Sequence, residues 1–260
     1  MSKIGLGMIT CNRPEFAQAC YNSIPQNSID ELIIVNDGSD ISLGTTREYI
    51  HNPVNLGVGK SKNIALRYLQ EKDCDYLFLI EDDIVIKNPE VFNTYIKYIE
   101  TTNIQHFMFG YHGPANKQHG KPNPRVIVDY GNGVEVALNY HCVGAFCVYT
   151  KELLKTIGLF DETYVNAWEH VDHSLLAVKK QAVPAYWWWP DLHNSYDFLG
   201  EQACSEVSSS IRPRSDWQHN IQTGAKHFYG KHNCLPWGVP DTTEQEAMER
   251  LRRIKEHNGE

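Results

Sequence analysis

The stretch Phe78-Leu79-Ile80-Glu81-Asp82-Asp83-Ile84-Val85-Ile86 sets three consecutive carboxylates between two apolar runs. The run that leads into it, Tyr76 to Ile80, has the unbroken apolar character of a strand buried on both faces. Such a strand normally ends in small turn residues, yet here it meets acids and then turns apolar again. Like charges crowded at that point repel one another and resist desolvation unless a cation sits among them. Hard divalent ions such as Mg²⁺ and Mn²⁺ take one or two carboxylates and complete their shell with substrate phosphate oxygens. The triplet therefore predicts a divalent ion carrying a diphosphate. The competing reading is a solvated acidic turn that caps a following helix.

Outward from the triplet, strands and helices alternate through the first hundred residues. Ile4 to Thr10, Glu31 to Val35 and Asp75 to Ile80 read as strands. Pro14 to Ser23, Gly59 to Gln70 and Pro89 to Glu100 read as helices, the second with Ile64, Ala65, Tyr68 and Leu69 at helical spacing. This βαβαβ order implies an α/β fold with parallel strands and helices on both faces. In such sheets ligands bind at the carboxyl ends of the strands. The notable polar groups stand there: Thr10-Cys11-Asn12-Arg13, Asp37-Gly38-Ser39 and Glu81-Asp82-Asp83. Further on, Tyr111 to Arg125 reads as a long loop of the kind that serves as a lid. Val126 to Val136 and His141 to Tyr149 read as antiparallel strands, Lys151 to Thr156 and Asn166 to Lys180 as helices, and Ala185 to Trp189 as a strand. From Ser205 the chain is loop-rich and closes with a helix from about Thr243.

The net charge of −8 over 260 residues gives no global case for nucleic-acid or membrane binding. The basic run Arg250 to Lys255 is read as the solvated face of a terminal helix. Seven cysteines, an odd number with no CxxC pair, suit free thiols in a reducing compartment rather than a disulfide framework or a zinc site. The first residues are too short and glycine-broken for a signal peptide, and no run approaches the ~18 apolar residues of a membrane helix. A cytoplasmic protein without stable membrane insertion is expected.

Asp37 can accept a hydrogen bond from a base imide or a ribose hydroxyl. Asn55 to Asn63 opens a helix with two glycines and two lysines, a favourable setting for anionic oxygens, although it matches neither a P-loop nor a dinucleotide fingerprint. Trp187-Trp188-Trp189 and Trp168 offer faces for sugars or bases, or else pack in the core.

Taken in order, "ITCNRPEFAQACYNSI", "IIVNDGSD", "NLGVGKSKNIAL", "LFLIEDDI" and "IGLFDETYVNAWEHVDHSLL" resemble the motifs of the family-2 nucleotide-sugar glycosyltransferases, over about residues 3 to 200. The resemblance implies an inverting enzyme of GT-A fold, a Rossmann-like mixed sheet with an irregular acceptor-side segment. It implies one domain over 1–200, with a nucleotide-sugar half at about 1–100 and an acceptor half at about 101–200; beyond it a C-terminal extension, 201–260, ending in a helix and packed on the same domain, is expected. By position, Thr10, Asn12, Arg13 and Asp37 would line the nucleotide pocket, Asn55, Gly57 and Lys60 would flank it, and Glu81 and Asp82 would face the donor. Asp83 would bind Mn²⁺ or Mg²⁺, with His193 as a second ligand. Glu81 departs from the aspartate usual at the first acidic position.

The segment Trp168-Glu169-His170-Val171-Asp172 departs further, because the family has Glu-Asp where this chain has Glu169-His170. His170 stands at the position of the catalytic base, and an imidazole of ordinary pKa near ~6.5 is a competent base at neutral pH. Glu169 is the alternative and Asp172 the next after it. The expected reaction moves a sugar from a nucleoside-diphosphate sugar, foremost a UDP-sugar, to a saccharide hydroxyl. The alternatives are the same chemistry on a hydroxymethylated DNA base and a non-catalytic nucleotide-sugar or glycan-binding module.

Overall fold

In the computed structural model, which describes residues 2–202 and 214–256, the first part of the chain forms the strands β1 (Ile4–Thr10), β2 (Glu31–Asn36), β3 (Glu48–His51), β4 (Tyr76–Glu81) and β5 (Ile84–Ile86). Between them lie α1 (Pro14–Ser23) and α2 (Val58–Glu71), with α3 (Val91–Thr102) after β5. Pro14 opens α1, where its missing N–H costs nothing. There follow β6 (His106–Met108), the ribbon β7 (Lys117–Gln118) and β8 (Lys121–Pro122), the hairpin β9 (Val126–Asp129) and β10 (Glu135–Asn139), and β11 (Phe146–Thr150). The chain continues through α4 (Lys151–Ile157), α5 (Glu169–Lys179), β12 (Trp189–Leu192), β13 (Leu199–Glu201), α6 (Trp217–His232) and α7 (Glu244–Glu256).

The main sheet runs β3-β2-β1-β4-β11-β6. β3, β2, β1 and β4 are parallel, and β11 is antiparallel to both β4 and β6. Thr10 lies opposite Asn36, and Ile9 opposite Glu81, so the carboxyl ends of β1, β2 and β4 finish level. That register gathers Thr10, Asp37 and the acidic triplet along one edge. α2 lies close upon β1 because Gly7 leaves room: a Cβ there would stand 2.6 Å from that of Ala65. A second sheet, β12-β10-β9, covers the far side, and β13 pairs with β5 just beyond the acidic turn.

Several sequence expectations change: Val126 to Val136 is broken into the hairpin of β9 and β10, and His141 to Tyr149 is strand only from Phe146. Ala185 to Trp189 is not a strand. Trp187 adopts φ 69°, its ring stacked 4.7 Å from Tyr140 and its Nε1 donating to the Val239 carbonyl at 2.7 Å, so the strand starts only at Trp189. α5 begins at Glu169, because Asn166 and Trp168 hold left-handed backbone. The segment from 214 onward holds α6 rather than loop; the part of the loop-rich reading over 205–213 lies outside the described residues. α7 is capped by a reciprocal pair, Thr243 N to Glu246 Oε2 at 2.8 Å and Glu246 N to Thr243 Oγ1 at 3.2 Å. It buries Ala247, Leu251 and Ile254 and leaves Arg250, Arg252 and Arg253 exposed. Among the described residues no helix is long and apolar enough to cross a membrane.

Candidate active site

Two side chains of the protein itself meet most of the acidic triplet. Arg13, at the entry to α1, pairs through Nη2 with Asp82 Oδ1 and through Nη1 with Asp83 Oδ2 at 3.3 Å. Thr10 Oγ1 donates to Asp82 Oδ2 at 2.6 Å. Burial pushes the Asp82 carboxyl up to about 7 against the pull of Arg13 and Thr10. Glu81 takes a different cation, Lys62 Nζ of α2, at 2.7 Å. Asp83 is left incomplete: its Oδ1 is buried and has no hydrogen-bond partner among the described residues. His112, in the loop after β6, brings Nε2 to 3.8 Å of Asp83 Oδ2, with Nδ1 3.5 Å from Glu201 Oε2.

His193 does not join this group. β12 pairs antiparallel with β10, which carries the residue after Leu192 to Glu135, whose carbonyl accepts from His193 N at 2.9 Å. Among the described residues its buried Nδ1 has no hydrogen-bond partner and no ion pair between His193 and Asp83 is found. The histidine beside Asp83 is His112.

Asp37 is buried and fully engaged. Oδ1 accepts from Asn52 Nδ2 at 2.9 Å and Leu56 N at 2.8 Å, Oδ2 from Asn55 Nδ2 at 2.9 Å and Gly57 N at 3.0 Å. Those four donors fill the acceptor capacity of a carboxylate. Asp37 therefore clamps the 52–57 loop, in place of the free acceptor for a base that the sequence suggested. The clamp sets Gly57 at φ 92°, a conformation that favours glycine, immediately before α2. Asn55 Oδ1 also accepts from Arg214 Nη1 at 3.2 Å. Thr10, Cys11, Arg13, Asp37, Asn55 and Arg214 wall a small polar pocket against the acidic turn. Asn12, exposed at φ 56°, and Lys60, on the first turn of α2, stand outside its wall. Asp37→Ala should destabilise the fold by about 2–4 kcal/mol in denaturant, because buried donors lose their acceptor. An unchanged midpoint would show that Asp37 does not hold the loop.

A second, larger cavity of about 700 Å³ adjoins the first and shares Val58, Glu81 and Asn166 with it. Its walls are aromatic, including Tyr140, Trp168, Tyr186, Trp187, Trp217 and Trp237, and Glu169 and His170 line it too. Both lie in the first turn of α5, where the helix N-terminus favours negative charge. His170 Nδ1 lies 3.0 Å from Glu169 Oε1. Burial alone would raise the Glu169 carboxyl, but His170 and then Lys62 bring it down to about 2, so it is a carboxylate at neutral pH.

The model of glycosyl transferase family 2 matches residues 6–158. The chain belongs to that family. An uncharacterized glycosyltransferase of Acanthamoeba polyphaga mimivirus is 30% identical over 193 residues, covering 70% of this chain and 71% of that protein. Among solved structures, GalNAc-T7 with UDP, GalNAc and Mn²⁺ is similar at TM-score 0.56 and 9% identity, over 97% of this chain and 54% of that one. The present chain thus spans about half the length of GalNAc-T7. Glucosyl-3-phosphoglycerate synthase from Mycobacterium tuberculosis, in complex with Mn²⁺, UDP and phosphoglyceric acid, is similar at TM-score 0.52 and 12% identity, over 92% of this chain and 80% of that one. These likenesses show the fold, which is GT-A.

In this glycosyltransferase, sequence reading passed over Lys62 in favour of Lys60. The signal was present, since Lys62 shares the apolar stripe of Ala65, Leu66 and Leu69 at the i, i+3, i+4 and i+7 spacing. A lysine on such a stripe is buried, and a buried lysine needs anionic partners. Burial works against the Lys62 ammonium, but Glu81 and Glu169 outweigh it and hold the group charged, above the ordinary lysine value. Asp172 is no candidate base. It is fully buried and accepts from Tyr164 Oη at 3.1 Å, Lys231 Nζ at 2.7 Å and His232 Nε2 at 2.6 Å, tying α5 to the end of α6.

Proposed function

We propose that this glycosyltransferase moves a sugar from a nucleoside-diphosphate sugar, foremost a UDP-sugar, to a hydroxyl of a saccharide acceptor, with inversion at the anomeric carbon. The observation that carries the reading is the junction at Val58, Glu81 and Asn166, which line both the polar pocket and the aromatic cavity. A donor seated in the first and an acceptor in the second meet there. Aromatic walls suit the apolar faces of sugar rings, and a few polar groups among them fix orientation.

His170 is the base in this reading. The Glu169 carboxylate accepts from Nδ1–H and so leaves the lone pair on Nε2 for the acceptor proton. The acceptor oxygen bonds to the anomeric carbon from the face opposite the diphosphate as the bond from that carbon to the diphosphate oxygen breaks. The proton ends on His170. Asp83 fits a divalent ion through its buried Oδ1, which has no partner among the described residues, with His112 as a second group within reach. Charge neutralisation on the leaving diphosphate is the chemistry such an ion supplies when bound. The UDP and Mn²⁺ of the two structural neighbours support that assignment.

In this reading residues 1–100 supply most of the donor side and 101–200 most of the acceptor side, to which Trp217, Ile221, Pro236 and Trp237 of the C-terminal segment add wall. The free cysteines of the described residues support a cytoplasmic setting. The test is nucleotide release from a panel of nucleotide sugars, with and without chelator. Release from a UDP-sugar, stimulated by saccharides and stopped by chelator, is expected, with product NMR giving the anomeric configuration. Stimulation by modified DNA but not by saccharides would replace the acceptor class, and retained configuration would overturn the inverting step.

A further inference from the structure

We infer that Lys62 is a positioning residue, a buried cation that holds the Glu169–His170 pair in register and ties it to the acidic turn at Glu81. The inference rests on the reading of His170 as the base. Lys62 has no exposed side-chain area. Its Nζ reaches Glu81 Oε1 at 2.7 Å, the Gly144 carbonyl at 3.0 Å and Glu169 Oε1 at 3.6 Å, and it lies 5.7 Å from the centre of the Phe160 ring. An ammonium has three N–H donors, and here it faces three acceptors.

Each acceptor comes from a different part of the fold: the end of β4, the loop before β11, and the first residue of α5. Two of them also touch His170. Glu169 binds its Nδ1, and Gly144 lies against the ring, where a Cβ would come within 2.9 Å of Cγ. Lys62 thus holds the imidazole from two sides without touching it. Glu81 lines both pockets, so the same cation spans the donor and acceptor sides.

A buried ion pair is weak evidence for stability, since an apolar residue of like volume often does as well. The geometry gives the charge another use. The groups around the pair are Lys62 from α2, Glu81 from β4, Cys142 beside the His170 carbonyl, Cys147 in β11, and His112 and His141 across the cavity. Of these, Lys62 is the cation that opposes the charge of Glu169. Without it the carboxylate would act on the imidazole unopposed and hold its proton more tightly.

The test compares Lys62→Met and Lys62→Arg in the full chain, with thermal melts to establish folding. For folded Lys62→Met, kcat should fall about 10²-fold, as a misplaced base costs. The acceptor KM should stay within about threefold, and the rising limb of kcat against pH should move up by about half a unit to one unit. Lys62→Arg should return the limb towards the wild-type position. A folded Lys62→Met with wild-type kcat and an unmoved limb overturns the inference. If Lys62→Met does not fold, Lys62→Gln, which keeps a hydrogen-bond donor without the charge, decides. A kcat at least tenfold down with shifted His170 imidazole ¹H–¹⁵N resonances supports positioning, and wild-type values for both overturn it. Activity retained in His170→Asn would instead sink the base reading, whereas an inactive His170→Asn beside a normal Lys62→Met would sink this inference alone.

Discussion

His170→Asn should lower sugar transfer by about 10²–10⁴-fold at saturating donor while leaving donor affinity within about threefold, because asparagine lacks the basic nitrogen. Glu169→Gln should cost about as much for a different reason. Its amide would present a donor to Nδ1 and favour the tautomer with the proton on Nε2, which cannot then accept from the substrate. The chain as read from sequence left the two residues as rival bases; the 3.0 Å contact between them makes them partners. The Glu169 carboxyl, held at about 2 by His170 and Lys62 in spite of burial, is ionised well below neutrality. Glu169 is therefore already ionised across the neutral range, and a rising limb found there is not its own. The same depression has a stability consequence. Its folded value lies below the ordinary 4.5, so Glu169 adds stability above that pH and the addition is lost as pH falls from about 4.5 towards 2. Acid unfolding of Glu169→Gln should lack that part of the wild-type slope. Mild rate losses in both variants would remove the pair from the chemistry.

Asp83→Asn should abolish stimulation by Mn²⁺ or Mg²⁺ and slow transfer by about 10²–10³-fold, the range for a lost electrostatic stabiliser of a charged transition state. Calorimetry of Mn²⁺ in the presence of UDP should show the loss of binding directly. The cost in stability should be small, about 1 kcal/mol, because asparagine keeps an acceptor for Arg13 Nη1, now 3.3 Å from Oδ2, and Asp83 Oδ1 has no partner among the described residues to lose. Asp82→Ala makes the contrast: it breaks the pairing with Arg13 and Thr10, and should destabilise by about 3–5 kcal/mol. His193→Ala should leave Mn²⁺ binding unchanged. Transfer that proceeds at full rate in chelator would rule out the metal at Asp83.

The α/β core was legible because its signals are local. Apolar runs at Ile4–Thr10, Glu31–Asn36 and Tyr76–Glu81 are strands in sequence and in structure, and the motifs at their ends meet on one edge. What escaped depended on packing between distant segments. β3 is short, and its residues are exposed or half-buried, so Glu48–His51 carries no apolar pattern. α6 buries only Gly224, Ala225 and Phe228, too few apolar positions to announce a helix. Trp187 broke an apparent strand because Tyr140 and the Val239 carbonyl, both far away in sequence, hold its ring. In the site, the acids and their family positions were readable, but of their counter-ions only Lys62 left a signal, in the stripe it shares with Ala65, Leu66 and Leu69. Arg13 lies 69 residues from Asp82, and which of two lysines turns inward is decided by the phase of α2 on the sheet.

Trp217, Ile221, Pro236 and Trp237 wall the aromatic cavity, yet all four lie beyond the stretch 6–158 over which the family is recognisable. In the proposed reading the acidic turn and most of the donor pocket fall within that stretch, whereas the Glu169–His170 pair and part of the cavity's wall follow it. Drift in one late helix and the turn that follows it can reshape the rim around an incoming molecule while the glycine-backed sheet, the clamped loop and the acidic turn stay as they are. If the cavity does receive the acceptor, likeness to this chain within 6–158 alone leaves part of the wall that would meet it uncompared.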